Sequence, residues 1–186
     1  SNPAGSRLSY DRIKGSPFWK DEFIMASLLD PQNRLLGKIP VKLNLYTNEV
    51  YFLLPGNEVR VAEAGRVSKL VFYKNDSSAE VMAVFENGLP LVPESNPNAT
   101  GPSFVQVLNT GSVQLLKHSK VMLVSADSLF GTMKRYYFSV QSHYYLHTQY
   151  GQMFRLKKLQ EQAVTERLNL DEAEHAFIDE RKLSLK

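Results

Sequence analysis

Alternation of apolar and polar residues is the dominant pattern along this chain. From Val41 to Leu45 every second residue is apolar and the residues between are polar. This period of two is typical of a strand with one buried face and one solvated face. Clusters of turn-forming residues separate segments of this kind. Strands are predicted at 23–29, 35–46, 50–54, 58–61, 67–74, 79–85, 104–108, 113–116, 120–124, 135–150 and 152–156.

The succession of these segments predicts a mainly β fold built from antiparallel sheets. Turns connect the strands and no helical pattern comes between them, which favours antiparallel pairing. The sheets are expected to form a sandwich or an open barrel. Apolar residues are spaced more widely from about residue 159 onward, which predicts one or two short C-terminal helices.

The length of 186 residues is that of one domain. Residues 1–16 are polar and lack a period, so they are predicted to form a flexible N-terminal arm. Residues 17–186 are predicted to form a single β-rich domain with a helical tail from about 159. Trp19, the only tryptophan, is expected to anchor the arm on this domain.

Apolar positions of the strands predict the hydrophobic core. A strand with one buried face must place its apolar side chains on that face. The predicted core residues are Val41, Leu43, Leu45, Val71, Val84, Phe104, Val107, Leu115, Phe138 and Val140.

Composition and motifs argue against catalysis. The chain has no cysteine, which excludes disulfides, cysteine nucleophiles and thiolate metal sites. No nucleophile elbow, phosphate-binding loop or dinucleotide glycine pattern is present. The acidic residues are scattered along the sequence. We therefore expect no enzymatic activity and no cofactor, although a hydrolase with a site built from distant residues stays open as an alternative.

Basic and aromatic residues are concentrated in one segment. Residues 101–158 carry a net charge of +6 and are rich in tyrosine. Aromatic side chains in a basic groove bind single-stranded nucleic acid, and sugars stack on similar surfaces. Aromatic residues are also good strand formers that pack across strands, which is the competing interpretation. The weak candidates for ligand binding are Arg135, Tyr137, His143, Tyr145 and His147.

His143 and His147 would face one metal ion if they lay on a helix. The alternation around them predicts a strand, where four residues span about 13 Å. One ion cannot bridge that span with bonds of about 2 Å. His118 could converge from another strand, but no acidic residue lies near the three histidines in sequence. No metal site is predicted.

Several short segments together resemble a group of small exported proteins of unknown function from Bacteroidota-type bacteria. The segments that carry the resemblance are Gly15–Phe23, Pro40–Tyr46, Asn48–Val50, Phe85–Pro90, Val107–Lys117 and Arg181–Lys186. The resemblance covers residues 15–186 and implies a periplasmic or cell-envelope location. It implies no activity and no functional residues.

Two further features concern targeting. No run of apolar residues approaches the roughly 20 needed for a membrane helix, so no transmembrane segment is predicted. The opening Ser1–Gly5 lacks an initiator methionine. Such an opening is either a cloning remnant or a mature end, and we expect a mature end from which a signal peptide was removed.

The expected function is a non-catalytic, exported binding or structural module of the bacterial cell envelope. Its partner is expected to be an envelope polymer, a peptide or a protein. The first alternative is a nucleic-acid-binding β domain that uses the basic aromatic segment 101–158. Nucleic acid is less favoured because the basic residues of this segment are spread over several strands.

Overall fold

A computed structural model describes residue 10 and residues 13–75, 79–89, 102–128 and 131–156. The C-terminal helices predicted from about residue 159 lie outside the described residues.

The described strands form one open sheet in which all neighbours are antiparallel. The prediction of a mainly β, antiparallel fold is therefore confirmed. The order across the sheet is β10-β9-β8-β7-β6-β5-β1-β2-β3-β4. In chain order the strands are β1 (Ile24–Leu29), β2 (Leu35–Asn44), β3 (Glu49–Leu54), β4 (Glu58–Val61), β5 (Lys69–Tyr73), β6 (Val81–Glu86), β7 (Val105–Val107), β8 (Val113–Ser128), β9 (Gly131–Thr148) and β10 (Met153–Leu156).

The longest strand pair differs from the prediction. Segments 113–116 and 120–124 are predicted as separate strands, but both belong to the 16-residue strand β8. The polar residues between them contain no glycine, proline or asparagine that would end a strand. Pairing with β9 continues through this stretch, where His118 lies opposite His143. An interruption in the apolar pattern therefore does not interrupt the ladder.

The sheet is strongly curved. The rings of Tyr46, just after β2, and Phe138 on β9 lie 5.4 Å apart. Six steps in the strand order separate β2 from β9, and a flat sheet would separate them by about 29 Å at about 4.8 Å per step. The sheet must therefore curve so that one face, the concave face, encloses the main core. The buried members of this core are Ala26, Leu28, Val41, Leu43, Leu45, Tyr46, Val50, Val67, Leu70, Phe72, Ala83, Phe85, Phe104, Val121 and Phe138.

Most of the core prediction holds. The predicted residues that are buried are Val41, Leu43, Leu45, Phe104, Leu115 and Phe138. Val71, Val84 and Val107 are only partly buried. They pair side by side across β5, β6 and β7 on the convex face, while Phe72 and Phe85 take the concave face. Where both faces of a strand carry apolar residues, alternation alone does not show which of the two faces turns toward the core.

The prediction that Val140 belongs to the core is wrong, because its side chain is 57% exposed. β10 pairs with β9 only at Tyr144–His147. The N-terminal segment pairs with β9 only around Tyr137. Val140 lies between these two stretches, where no described segment covers the edge of β9.

Residues 13–19, here called the strap, link β9 to β2, which lie six steps apart in the strand order. At one end Lys14 pairs with β9. The Lys14 N–H donates to the Tyr136 carbonyl at 3.2 Å, and the Phe138 N–H donates to the Lys14 carbonyl at 2.9 Å. A residue of the predicted N-terminal arm therefore pairs with the edge of β9 at a position that β10 does not reach.

At its other end the strap pairs with β2. The Trp19 N–H donates to the Leu43 carbonyl at 2.9 Å, and the Leu45 N–H donates to the Pro17 carbonyl at 2.8 Å. The Trp19 ring lies 4.8 Å from the ring of Phe72 in the core. The expected anchoring role of Trp19 is consistent with this contact.

Candidate functional site: a basic face on strands β8 to β10

The five candidate ligand-binding residues all lie on β9 at odd-numbered positions, so they share one face of that strand. This is the convex face, opposite the side on which Phe138 enters the core. The set is long rather than compact. Tyr137 and His143 are six residues apart, about 20 Å along a strand. Arg135 and Tyr137 therefore form one exposed group, separate from His143, Tyr145 and His147.

Cross-strand register brings further basic residues to the second group. His118 on β8 lies directly opposite His143, and Lys120 lies opposite Gln141. Arg155 on β10 lies opposite Tyr145. Opposite residues of an antiparallel pair project from the same face with Cβ atoms about 5 Å apart. We call the surface formed by His118, Lys120, His143, His147 and Arg155 the basic face.

The closest contact within the basic face joins Arg155 and His143. A guanidinium nitrogen of Arg155, Nη2, lies 2.7 Å from Nδ1 of His143. Arginine has only donors and stays charged, so Nδ1 of His143 accepts in this contact. A neutral imidazole with an acceptor at Nδ1 carries its proton at Nε2.

The other two histidines of the basic face are held differently. Nδ1 of His147 lies 3.2 Å from the amide oxygen of Gln114, its cross-strand partner. His118 is buried, with 6% of its surface exposed. His143 and His147 are both on strand β9, about 13 Å apart along it as predicted. Among the described residues, no three His, Asp or Glu side chains are placed to hold one metal ion.

Tyr145 does not offer a ligand surface. Its side chain is fully buried and packs with Val105 and Leu116 in a second core cluster. Tyr145 therefore cannot stack on a ligand, and the structure corrects its place among the five candidates. Alternation alone could not show this, because the burial depends on residues of β7 and β8 that are distant in sequence.

His118, Lys120 and Arg155 are the residues of the basic face that are not among the five sequence candidates. Their place beside His143 follows from the pairing of β9 with β8 and with β10. Gly151 at the β9–β10 turn has a φ of +77°, and a glycine between two alternating segments is the sequence signal of such a hairpin. That signal predicts that Arg155 returns along β9, but not which residue it faces.

Several acidic residues of the described chain are engaged in structural contacts. Asp30 accepts the backbone N–H groups of Gln32 and Arg34, each at 2.9 Å. Glu49 accepts the hydroxyl of Tyr51 at 2.9 Å. Burial first, and Glu49 second, raises the pKa of Tyr51 to about 12, so Tyr51 stays protonated and keeps this bond.

A small cavity lies near Glu49 at the start of β3. It is lined by Glu49, Glu63, Asn87 and Phe104 among others and has a volume of about 20 Å³. A cavity of this size holds about one water molecule. It cannot enclose an organic substrate.

Comparison of the chain with protein-family models, with curated proteins and with solved structures gives no significant match. No helical stretch in the part of the chain that the structure describes has the length and apolar character to span a bilayer.

Proposed function

We propose that this protein is a non-catalytic binding module of the bacterial cell envelope that acts after export. The observation that supports binding most directly is the basic face. Two long strands and an edge strand present Lys120, Arg155, His143 and His147 on one side, with the buried His118 beneath them. On that face, the described positions of β8, β9 and β10 carry no Asp or Glu. Such a surface is suited to an anionic partner.

A binding role is favoured over catalysis by the state of the acidic residues. General acid–base chemistry needs carboxylates that can reach a substrate in a cleft. The described carboxylates that form ion pairs do so with nearby basic residues of turns and neighbouring strands. These pairs are Asp30–Arg34, Glu58–Arg60, Glu86–Lys69 and Glu80–Lys74.

The cell-envelope location rests on the resemblance of residues 15–186 to small exported proteins. An anionic partner in that compartment would be a polymer or a lipid that carries phosphate or carboxylate groups. The alternative partner, single-stranded nucleic acid, is supported by the exposed Tyr137 and Arg135 near the far end of β9.

Co-sedimentation distinguishes these partners. Purified protein is mixed with isolated cell walls, with lipopolysaccharide vesicles, or with labelled single-stranded DNA at about 150 mM salt. We expect retention by envelope material, and DNA binding that is weak and falls steeply with salt. Fractionation of the producing cells should place the protein with periplasmic markers.

The variants are chosen to separate the two partners. Arg155→Gln should reduce retention by envelope material, whereas Arg60→Gln, on the opposite edge strand, should leave it unchanged. Micromolar DNA binding that weakens in an Arg135→Ala, Tyr137→Ala double variant would favour the nucleic-acid alternative. A cytosolic location together with no retention by envelope material would refute the proposal.

A further inference from the structure

We propose that the outer edge of β4 pairs with β4 of a second copy of this chain, so that the protein forms a twofold-symmetric dimer. β4 is the last strand in the order of the sheet and pairs only with β3 among the described strands. Its side chains are accessible, since Val59 is 45% exposed and Glu58 and Arg60 are exposed as well. An uncovered edge strand presents backbone groups that can pair with another chain. This contact does not depend on the proposed function.

The pairing of β4 with β3 determines which backbone groups of β4 face outward. The Ala62 N–H donates to the Val50 carbonyl at 2.8 Å, which makes these two residues a hydrogen-bonded pair of the ladder. Such pairs alternate with non-hydrogen-bonded pairs between antiparallel strands. Arg60 and Glu58 therefore turn their backbone groups toward β3, whereas the N–H and C=O of Val59 point away from the sheet. Val59 is thus the residue that can extend the ladder.

Charge fits this edge to its own copy in one register. Glu58 and Arg60 flank Val59 on the strand and carry opposite charges. With a twofold axis beside Val59, the two copies of Val59 exchange backbone hydrogen bonds. Glu58 of each chain then lies directly opposite Arg60 of the other, and opposite charges in this arrangement stabilise an antiparallel pair. Each Arg60 already donates to Glu58 of its own chain at 2.8 Å, so the four side chains would form one network of alternating charge.

Neighbouring registers are less favourable. A twofold axis beside Arg60 would place two arginines opposite each other, and an axis beside Glu58 would do the same with two glutamates. Like charges directly opposite each other destabilise a strand pair. An axis beside Val61 would place Glu58 and Arg60 opposite alanine residues of the second copy. The charges therefore select the register centred on Val59.

The other side of β4 adds an apolar contact. Val59 lies opposite Leu53 of β3, and both project from the face opposite to Glu58 and Arg60. In the dimer the two copies of Val59 become neighbours, with a Leu53 beyond each, so that apolar surface is removed from water. Pairing of two four-residue strands buries less than the roughly 1,200 Å² of a stable interface. We therefore expect a reversible dimer with a dissociation constant of about 100 μM.

Sedimentation velocity and amide hydrogen exchange of the full chain test the association. The parent should pass from monomer to dimer between about 5 and about 500 μM. Protection of the Val59 amide should rise with concentration, whereas the Arg60 amide, which faces β3, should be protected at every concentration. A parent that is monomeric at about 500 μM overturns the dimer. Protection of Val59 that is already complete at about 5 μM also overturns it and assigns the edge to another segment of the same chain.

Charge variants test the register. Glu58→Lys or Arg60→Glu gives a strand whose two charges have the same sign, so each variant alone should dimerise at least about tenfold more weakly. An equimolar mixture of the two variants should form a heterodimer, because each charge again meets its opposite. The double variant Glu58→Lys, Arg60→Glu should self-associate as the parent does. Single variants that dimerise like the parent, or a mixture that does not associate, refute the register.

Val59→Pro tests the backbone contact, because it removes the outward N–H and leaves the ladder with β3 intact. Proline is tolerated on an edge strand where its nitrogen faces away from the sheet, so the fold should be kept and the dimer lost. Circular dichroism checks the fold. Glu80→Lys is the matched control for Glu58→Lys, since Glu80 also forms an exposed ion pair, with Lys74, and it should dimerise as the parent does. A folded Val59→Pro variant that still dimerises overturns the proposal.

Discussion

Gly15 lies against the main chain of Phe138, so that a Cβ atom added at Gly15 would stand 3.2 Å from the Phe138 carbonyl oxygen. The φ angle of Gly15 is +88°, in the region that side chains other than glycine's rarely adopt. The neighbouring Lys14 makes both strap hydrogen bonds to β9. Glycine at this position therefore lets the strap reach the edge of the sheet.

Substitution of Gly15 should loosen the strap. We expect Gly15→Ala to lower the free energy of unfolding by about 1–3 kcal/mol, because the strained φ and the close approach add. Urea unfolding measures the change. Gly56→Ala is the matched control, since Gly56 has a φ of +85° but no atom within 4 Å of an added Cβ. If the two variants lose the same stability, the approach to Phe138 contributes nothing.

Substitutions at Phe138 and Val140 test whether a β9 side chain is buried only where another segment pairs with the edge of β9. They are two residues apart on the same side of β9, yet Phe138 is 8% exposed and Val140 57%. Phe138→Ala should cost about 3–5 kcal/mol of unfolding free energy, since the ring packs on Tyr10 and Tyr46. Val140→Ala should change it by less than about 0.5 kcal/mol. Comparable losses in urea melts would contradict the burial difference.

The strands could be predicted from sequence because their signals are local. The segment 58–61 coincides with β4, and the segment 35–46 extends only two residues beyond β2. Alternation and turn residues determine where a strand lies and which side chains share a face. The five candidate residues share one side of β9 because they all occupy odd-numbered positions of one strand.

Curvature, register and edge covering could not be predicted because they depend on distant contacts. Tyr145 and Val107 occupy apolar positions of similar appearance in sequence, yet one is fully buried and the other only partly. The difference comes from the neighbours that each meets across the sheet. The contact between Arg155 and His143 likewise depends on the pairing of β10 with β9.

Asp30 provides a test of the turn between β1 and β2 by pH. Its carboxylate is buried and accepts the backbone N–H groups of Arg34 and Gln32. The guanidinium of Arg34 also donates to it through Nε at 2.7 Å. The backbone hydrogen bond from Arg34 is the largest cause that holds the pKa of Asp30 below its ordinary value, and burial opposes it.

The sign of the pH effect follows from this direction. A carboxyl group with a lower pKa in the folded state stabilises the fold above its unfolded pKa, about 3.9, and loses that contribution as pH falls through the folded value. We expect Asp30→Asn to be less stable than the parent near pH 7, with the difference shrinking below about pH 4. Urea unfolding across this range measures it. Glu58→Gln, which alters an exposed pair with Arg60, should show little difference from the parent at any pH. An Asp30→Asn difference that stays constant from about pH 7 to about pH 3 would show that the charge of Asp30 does not stabilise the turn.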